Sequence, residues 1–381
     1  MVLYTQRKTA EGFSQISYNK GIFIKGIPHM ATSPQLKTLK IESLFGYKDI
    51  ELDFSDVNVL VGRNGLGKTT ILKILNAMLN EDFNCSELKL CHRASITFTN
   101  KAAIFYEPDN SLETIARATV KKVFTKQLME SIQTKEIKLH ERLKDEFLKE
   151  VTRQINLNHI NISKEIYKTN AKEYISFFDS EKQKNIRMSK ALNDYLARNC
   201  EVRYISTINM SANAQQDIKM SSGKEKNILN WELNLELAEL AKERTSVYTS
   251  RFVKIASELL SESSKRLSLR KLRDTYTFDT IDKIRNESIK IESLSSGERQ
   301  LLYILSRVAN TKDKQAFLLM DEPEISLHLN WQEKLISSIK KLNKNCQIII
   351  VTHSPAIVMD GYMDAYVDMD EITMESDNVR I

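Results

Sequence analysis

The sequence predicts an α/β fold: a core in two pieces, bearing a P-loop, with a long α-helical insertion between its two lobes. Three observations carry that reading. Near-continuous apolar runs ending in polar residues recur at 57–62, 316–323 and 346–353, the pattern of parallel strands covered on both faces. The glycine-rich segment GRNGLGKT, at 62–69, stands between the first of these runs and a helical stretch over 70–79. From Asn110 to Ser222 the chain has neither glycine nor proline, so helix breakers are missing from its middle.

Taken in order, residues 1–34 read as a loosely attached extension, with Met30 as an alternative start. The first lobe spans 35–110. LKTLKIESLFGYKDIELDF alternates apolar and polar residues and predicts a hairpin turning at Gly46. VNVLVG, RASITFTN and KAAIFYEP read as further strands. Residues 111–284 are expected to be a mainly helical insertion, with apolar residues at helical spacing such as Val123, Leu128, Ile132, Leu139, Leu143 and Phe147. One strand, EVRYIST at 201–207, is expected inside it. The second lobe spans 285–381.

Composition narrows the class. At 41% hydrophobic and 28% charged residues the chain is an ordinary globular protein. No apolar run approaches the roughly 20 residues that cross a bilayer, and the N-terminus lacks a signal-peptide core. A cytoplasmic protein with no membrane partner is the expectation. The four cysteines form no C-x-x-C pair, which suits free thiols in a reducing compartment; Cys85, Cys91 and His92 lie close together but not at zinc-ribbon spacing. Net charge is +6, and residues 111–230 hold 22 Lys and Arg against 15 Asp and Glu, so the remainder is close to neutral. The positive charge belongs to one segment.

The chemistry is concentrated at the ends of the apolar runs. In GRNGLGKTT, Gly62, Gly65 and Gly67 let the backbone wrap a phosphate chain, with Arg63 and Asn64 at its tip. Lys68 is placed to reach the β- and γ-phosphates of ATP, and Thr69, followed by Thr70, to bind Mg²⁺. In FLLMDEP, Asp321 is expected to hold Mg²⁺ and Glu322 to act as general base. His353 ends the run IIIVTH, where it would meet the γ-phosphate and attacking water. A second phosphate-directed turn lies far downstream: in SLSSGERQ, Ser295, Ser296 and Gly297, followed by Glu298, open a helix whose N-terminus favours an anion.

The order P-loop, long insertion, LSSGE, DEP and TH resembles the ABC-type ATPase superfamily. Leu294–Glu298 stands where that family has its LSGGQ signature. The resemblance implies that the signature closes over ATP held by a second copy, giving a head-to-tail dimer or higher oligomer with two-fold symmetry. GRNGLGKTTILKIL and DEPEISLHLNWQEKLI narrow the likeness to the SMC, RecF and OLD-like branch, including stand-alone ATPase subunits of prokaryotic antiphage systems of the Septu type, some linked to retrons. In that pattern Ser326 and His328 fall at the D-loop, near the dimer seam. The family's Q-loop glutamine is not identifiable; Gln127, Gln154, Gln215 and Gln216 are candidates. OLD nucleases continue into a Toprim domain, for which the 28 residues after His353 leave no room.

The function these features imply is ATP hydrolysis that controls a separate effector, such as a nuclease, in antiphage defence. A DNA-repair or SMC-like DNA-binding ATPase is the alternative, and a transporter ATPase subunit the weaker one. The insertion is expected to bind DNA or RNA through Lys121, Lys122, Lys126 and the KQKNIRMSK run (182–190), or to serve as a docking arm.

Overall fold

The structure is a computed structural model and describes residues 33–108, 162–169, 172–179, 184–206, 217–219, 225–273 and 275–376. Its centre is a parallel sheet that puts the carboxyl ends of its strands on one edge. Strands β1 (Leu36–Leu44) and β2 (Lys48–Asp53) form the expected hairpin, and β3 (Val57–Val61) leads through the glycine-rich loop into α1 (Lys68–Asn80). Two further strands, β4 (Arg93–Phe98) and β5 (Ala103–Pro108), complete the N-terminal run.

The span expected to be mainly helical is mixed wherever it is described. Strands β6 (Ile162–Thr169), β7 (Lys172–Asp179) and β8 (Lys184–Ser189) precede α2 (Lys190–Asn199) and β9 (Cys200–Ser206). After them come β10 (Asp217–Lys219), β11 (Glu225–Asn227), α3 (Ile228–Lys242), α4 (Val247–Leu260) and the antiparallel set β12 (Lys265–Leu272), β13 (Thr275–Asp282) and β14 (Ser288–Ile289). The reason for the difference is physical. Lacking glycine and proline removes breakers from strands as well as helices, so their absence does not choose between the two. Residues 109–161, which hold the longest helical spacing, lie outside the described residues, as do 1–32, Lys121, Lys122 and Lys126.

The last part of the chain gives α5 (Ser296–Ala309), β15 (Gln315–Asp321), α6 (Leu329–Glu333), α7 (Leu335–Leu342), β16 (Cys346–Val351), β17 (Tyr366–Asp368) and β18 (Thr373–Glu375). The parallel sheet has the order β17-β3-β16-β15-β9, and the antiparallel sheet the order β18-β2-β1-β4-β5-β8-β7-β6. Thus β9, from inside the presumed insertion, is an integral strand of the catalytic sheet, paired in register with β15 from Gln315↔Cys200 to Asp321↔Ser206.

Side-chain alternation along the parallel strands builds two cores. Ala316, Leu318 and Met320 of β15, with Ile348 and Ile350 of β16, face α3, α4, α5 and α7. Phe317 and Leu319, with Ile349 and Val351, face α1 and the antiparallel sheet. Every residue of β15 and β16 is buried, as strands covered on both sides must be. Each large aliphatic side chain taken from water here is worth about 1.5–3 kcal/mol.

One polar residue interrupts this apolar pattern. Gln347, 2% exposed, accepts a hydrogen bond from the Leu36 amide at 2.8 Å and donates to the carbonyls of Leu36 and Ser55, both at 2.9 Å. It joins the start of β1 to the parallel sheet by satisfying backbone groups that would otherwise be buried alone. Replacing it with leucine keeps the volume and strands those groups. Gln347→Leu is expected to lower stability by about 1–3 kcal/mol in urea denaturation, with an unchanged m-value.

Candidate functional site

The parallel register brings Val61, Val351, Asp321 and Ser206 to the same sheet edge. The chain leaves that edge through four different loops, which is where open α/β sheets bind ligands. After β3 comes the glycine-rich loop. Arg63, Asn64 and Gly65 form its exposed tip, Gly62 and Gly67 are half-buried, and Lys68 is buried. Gly67 caps α1 with φ +95°, and a Cβ there would also press on the ring of Phe45, 3.0 Å away. No side chain caps this helix and its first turn carries no acid, so its amides are available to an anion. Thr70 follows, half-buried, in that first turn.

Lys68 folds back over the loop. Its Nζ donates to the carbonyls of Gly62 at 2.8 Å and Arg63 at 3.0 Å. Burial lowers its pKa, opposed by the nearby charges of Glu322 and Asp321. Thr69 Oγ1 donates to Asp321 Oδ1 at 2.9 Å, joining the loop to the end of β15. Burial raises the Asp321 pKa, while hydrogen bonds from Thr69 and Tyr204 hold it down. A hydroxyl and a carboxylate oxygen, facing each other beside a phosphate-directed loop, are the hard oxygen donors that Mg²⁺ prefers. The residues present therefore fit that ion.

Glu322 lies just past β15 with φ +49°, a strained setting for a glutamate that recurs at functional sites. Its amide donates to the Val351 carbonyl at 2.8 Å. Burial raises the Glu322 pKa, reinforced by Asp321 and Glu324 and offset by His353 and Lys68. A carboxylate with a raised pKa is a better proton acceptor near neutral pH. Exposed His353 places Nε2 3.7 Å from Glu322 Oε1, and its own amide donates to Glu324 Oε1 at 2.9 Å. Gln332 fastens this corner: it donates to the Leu327 carbonyl at 2.9 Å and accepts from Ser354 Oγ at 2.7 Å.

The second anion-directed turn is a capping box. Ser295 Oγ accepts from the Glu298 amide at 3.3 Å, and Glu298 Oε2 accepts from the Ser295 amide at 2.9 Å. Ser295 is exposed and Ser296 half-buried, whereas Gly297 and Glu298 are buried. Expected among the ligand contacts, Glu298 instead faces inward: its Oε1 accepts from Ser263 Oγ at 2.7 Å and Lys265 Nζ at 2.8 Å. Glycine is required at 297 because a Cβ would overlap the Ser326 carbonyl oxygen. Ser326 itself sits at φ +72°. Gln300, one turn on, donates to the Pro323 carbonyl at 2.8 Å. Among the described residues, the polar contacts of Glu298 and Gln300 thus run to Ser263, Lys265 and the Pro323 carbonyl, and not to the loop at 62–69.

The basic run expected to meet nucleic acid is otherwise engaged. Lys184 donates to the carbonyls of Cys91 at 2.8 Å and His92 at 3.3 Å; Arg187 pairs with Glu107 at 2.7 Å and Lys190 with Glu173 at 2.8 Å. Its described part is strand β8 and the start of α2, not a continuous helix. Lys182 and the four glutamines considered for the Q-loop lie outside the described residues. Among the described residues, no helix is long and apolar enough to cross a membrane.

With this geometry in view, the matches to known proteins fall in place. Residues 35–358 match the family described as AAA ATPase domain. The chain belongs to that family. As a member of the AAA ATPase domain family it binds nucleotide and is an ATPase, with a P-loop NTPase fold. It is 26% identical over 337 residues to the Septu protein PtuA of Bacillus thuringiensis, covering 85% of this chain and 72% of that protein. A shorter match, 33% identical over 88 residues, is to the Retron Ec83 probable ATPase of Escherichia coli and covers 20% of this chain and 16% of that one. A solved SMC head bound to the C-winged helix domain of ScpA covers 90% of this chain and 97% of its own, at 15% identity and a TM-score of 0.46.

Sequence reasoning missed Phe45, Tyr204, Ser263, Lys265 and Gln332. Gln332 lies within the DEPEISLHLNWQEKLI stretch without a role read for it; the other four come to the site by folding from elsewhere in the chain. Two expectations follow. Gly297→Ala must displace either the α5 N-terminus or the 322–328 turn, and should cost about 1–3 kcal/mol in thermal denaturation. The Glu298 carboxyl is pushed up by burial, but Lys265, Ser263 and the Ser295 amide outweigh this and hold it below the usual range. Its stabilisation is therefore complete above the unfolded pKa, about 4.3, and lost as pH falls through the folded value. Glu298→Gln should flatten that part of the stability–pH curve.

Proposed function

We propose that this ATPase pairs head to tail with a second copy and reports its nucleotide state to a separate effector, a nuclease in antiphage defence. The observation that carries the pairing is the exposed α5 N-terminus at Ser295 and Ser296. It is a second anion-directed site whose contacts tie it to the 323–326 loop. A partner's γ-phosphate would complete it, and the two-fold arrangement would give two such sites. The exposed Ser326 and His328 would lie on the same seam. The defence setting rests on the likeness to the Septu protein PtuA over most of this chain, and to a retron ATPase over a shorter stretch.

In this reading the loop from Gly62 to Thr70, with Arg63, Asn64, Gly65 and Gly67, wraps the phosphates of ATP. Lys68 exchanges its two carbonyl partners for phosphate oxygens. Thr69 and Asp321 hold Mg²⁺, which when bound neutralises phosphate charge. Glu322 takes the proton of the attacking water, and His353 steadies the γ-phosphate and that water. Nucleic acid as a trigger remains part of the proposal for the segment 109–161.

The decisive experiment uses Glu322→Gln protein. It should bind MgATP with near wild-type affinity, run as a dimer in size-exclusion chromatography with ATP, and turn over at least about 100-fold more slowly. Lys68→Ala should weaken nucleotide binding itself. Affinity capture of the ATP-locked form from its host, read by mass spectrometry, should return a nuclease at stoichiometric amounts. A permease in its place would transfer the reading to transport; normal turnover by Glu322→Gln would remove the general-base assignment.

A further inference from the structure

Asp321 has two carboxylate oxygens, and each has its own hydroxyl donor. Thr69 Oγ1 donates to Oδ1 at 2.9 Å, and Tyr204 OH donates to Oδ2 at 3.4 Å. Tyr204 comes from β9, the neighbouring strand, where Tyr204 is level with Leu319 and Ser206 with Asp321. Ser206 stands two residues along the same strand, beside the phenol.

The two donors are not equivalent. Thr69 is placed to bind Mg²⁺ through the same oxygen that now touches Asp321. A hydroxyl that ligates a cation through a lone pair keeps its proton, so Thr69 is shared between the ion and Oδ1 of Asp321. Tyr204 has no such second duty. We infer that Tyr204 is a positioning residue of the metal site: it holds Oδ2 of Asp321, and so the plane of the carboxylate, while Thr69 is shared between Oδ1 and the ion. This rests on the reading that Thr69 and Asp321 hold Mg²⁺.

The same strand gives the arrangement reach. Arg307 of α5 donates to the Tyr204 carbonyl at 3.4 Å and to Glu236 of α3 at 3.2 Å. Helix α5 opens with the Ser295–Gly297 turn. One strand therefore touches the chain's own metal carboxylate through the Tyr204 side chain, and the helix bearing the second anion turn through the Tyr204 backbone.

Tyr204→Phe removes the hydroxyl and keeps the ring. The test is Mn²⁺ binding to the full chain, followed by electron paramagnetic resonance in the presence of a non-hydrolysable ATP analogue. Nucleotide binding in EDTA is measured beside it. Expected are an approximately tenfold loss of Mn²⁺ affinity, EDTA binding within about twofold of wild type, and a fall in kcat with little change in KM for ATP. In an Asp321→Asn background Tyr204→Phe should add nothing. Ser206→Ala should shift Mn²⁺ affinity in the same direction by less, and stands in if Tyr204→Phe does not fold. Wild-type Mn²⁺ affinity in these variants overturns the inference, as does equal loss with and without metal, which marks simple packing. If the wild-type protein with nucleotide binds no Mn²⁺, the metal-site reading itself falls and takes the inference with it.

Discussion

The parallel register of β3, β16, β15 and β9 is the constraint on which the site depends. These strands are distant in sequence, yet their last residues are brought level by backbone hydrogen bonding. Burial on both faces enforces it. A slip of one residue in β15 would carry Phe317 and Leu319 to the wrong core and expose the alternate set to the wrong neighbours. The same slip would carry Asp321 away from Thr69. Packing and the meeting of Thr69 with Asp321 are thus specified by one pattern, and their 252-residue separation is closed by apolar burial rather than by their own hydrogen bond.

The α5 N-terminus shows the same economy in reverse. Its capping box would satisfy any helix end, but Glu298 also takes hydrogen bonds from Ser263 and Lys265 of another segment. The carboxylate is buried, and leaving it unpaired would cost several kcal/mol. Locking it inward leaves the hydroxyls of Ser295 and Ser296 toward the surface. Gly297 then lets the helix approach the backbone of Ser326, so the turn and the loop after Glu322 are set as a unit. A change at one is felt at the other through contact, without any long path.

Much of this was legible beforehand, and the reason differs from residue to residue. Lys68, Thr69, Asp321 and Glu322 could be picked out as candidates from their spacing after a strand, and the fold brings them together. The hairpin at Gly46 and the strands at 93–98 and 103–108 follow from period-two alternation. The described parts of 111–284 hold strands as well as helices, which a lack of glycine and proline could not tell apart. In the basic run at 182–190, composition counts charges but does not see that Lys184, Arg187 and Lys190 have partners within the chain. Tyr204 left no motif, since its role comes from the strand beside it.

By itself, then, the sequence determined the chemistry and the class of fold: local spacing dictates which backbone can wrap a phosphate and which runs must be buried. The tertiary structure alone decided that β9 belongs to the catalytic sheet, that Glu298 faces inward, and that Tyr204 reaches Asp321. These are consequences of which strand pairs with which. Pairing is settled by the summed burial of whole faces across hundreds of residues, and no short stretch of the chain contains that sum.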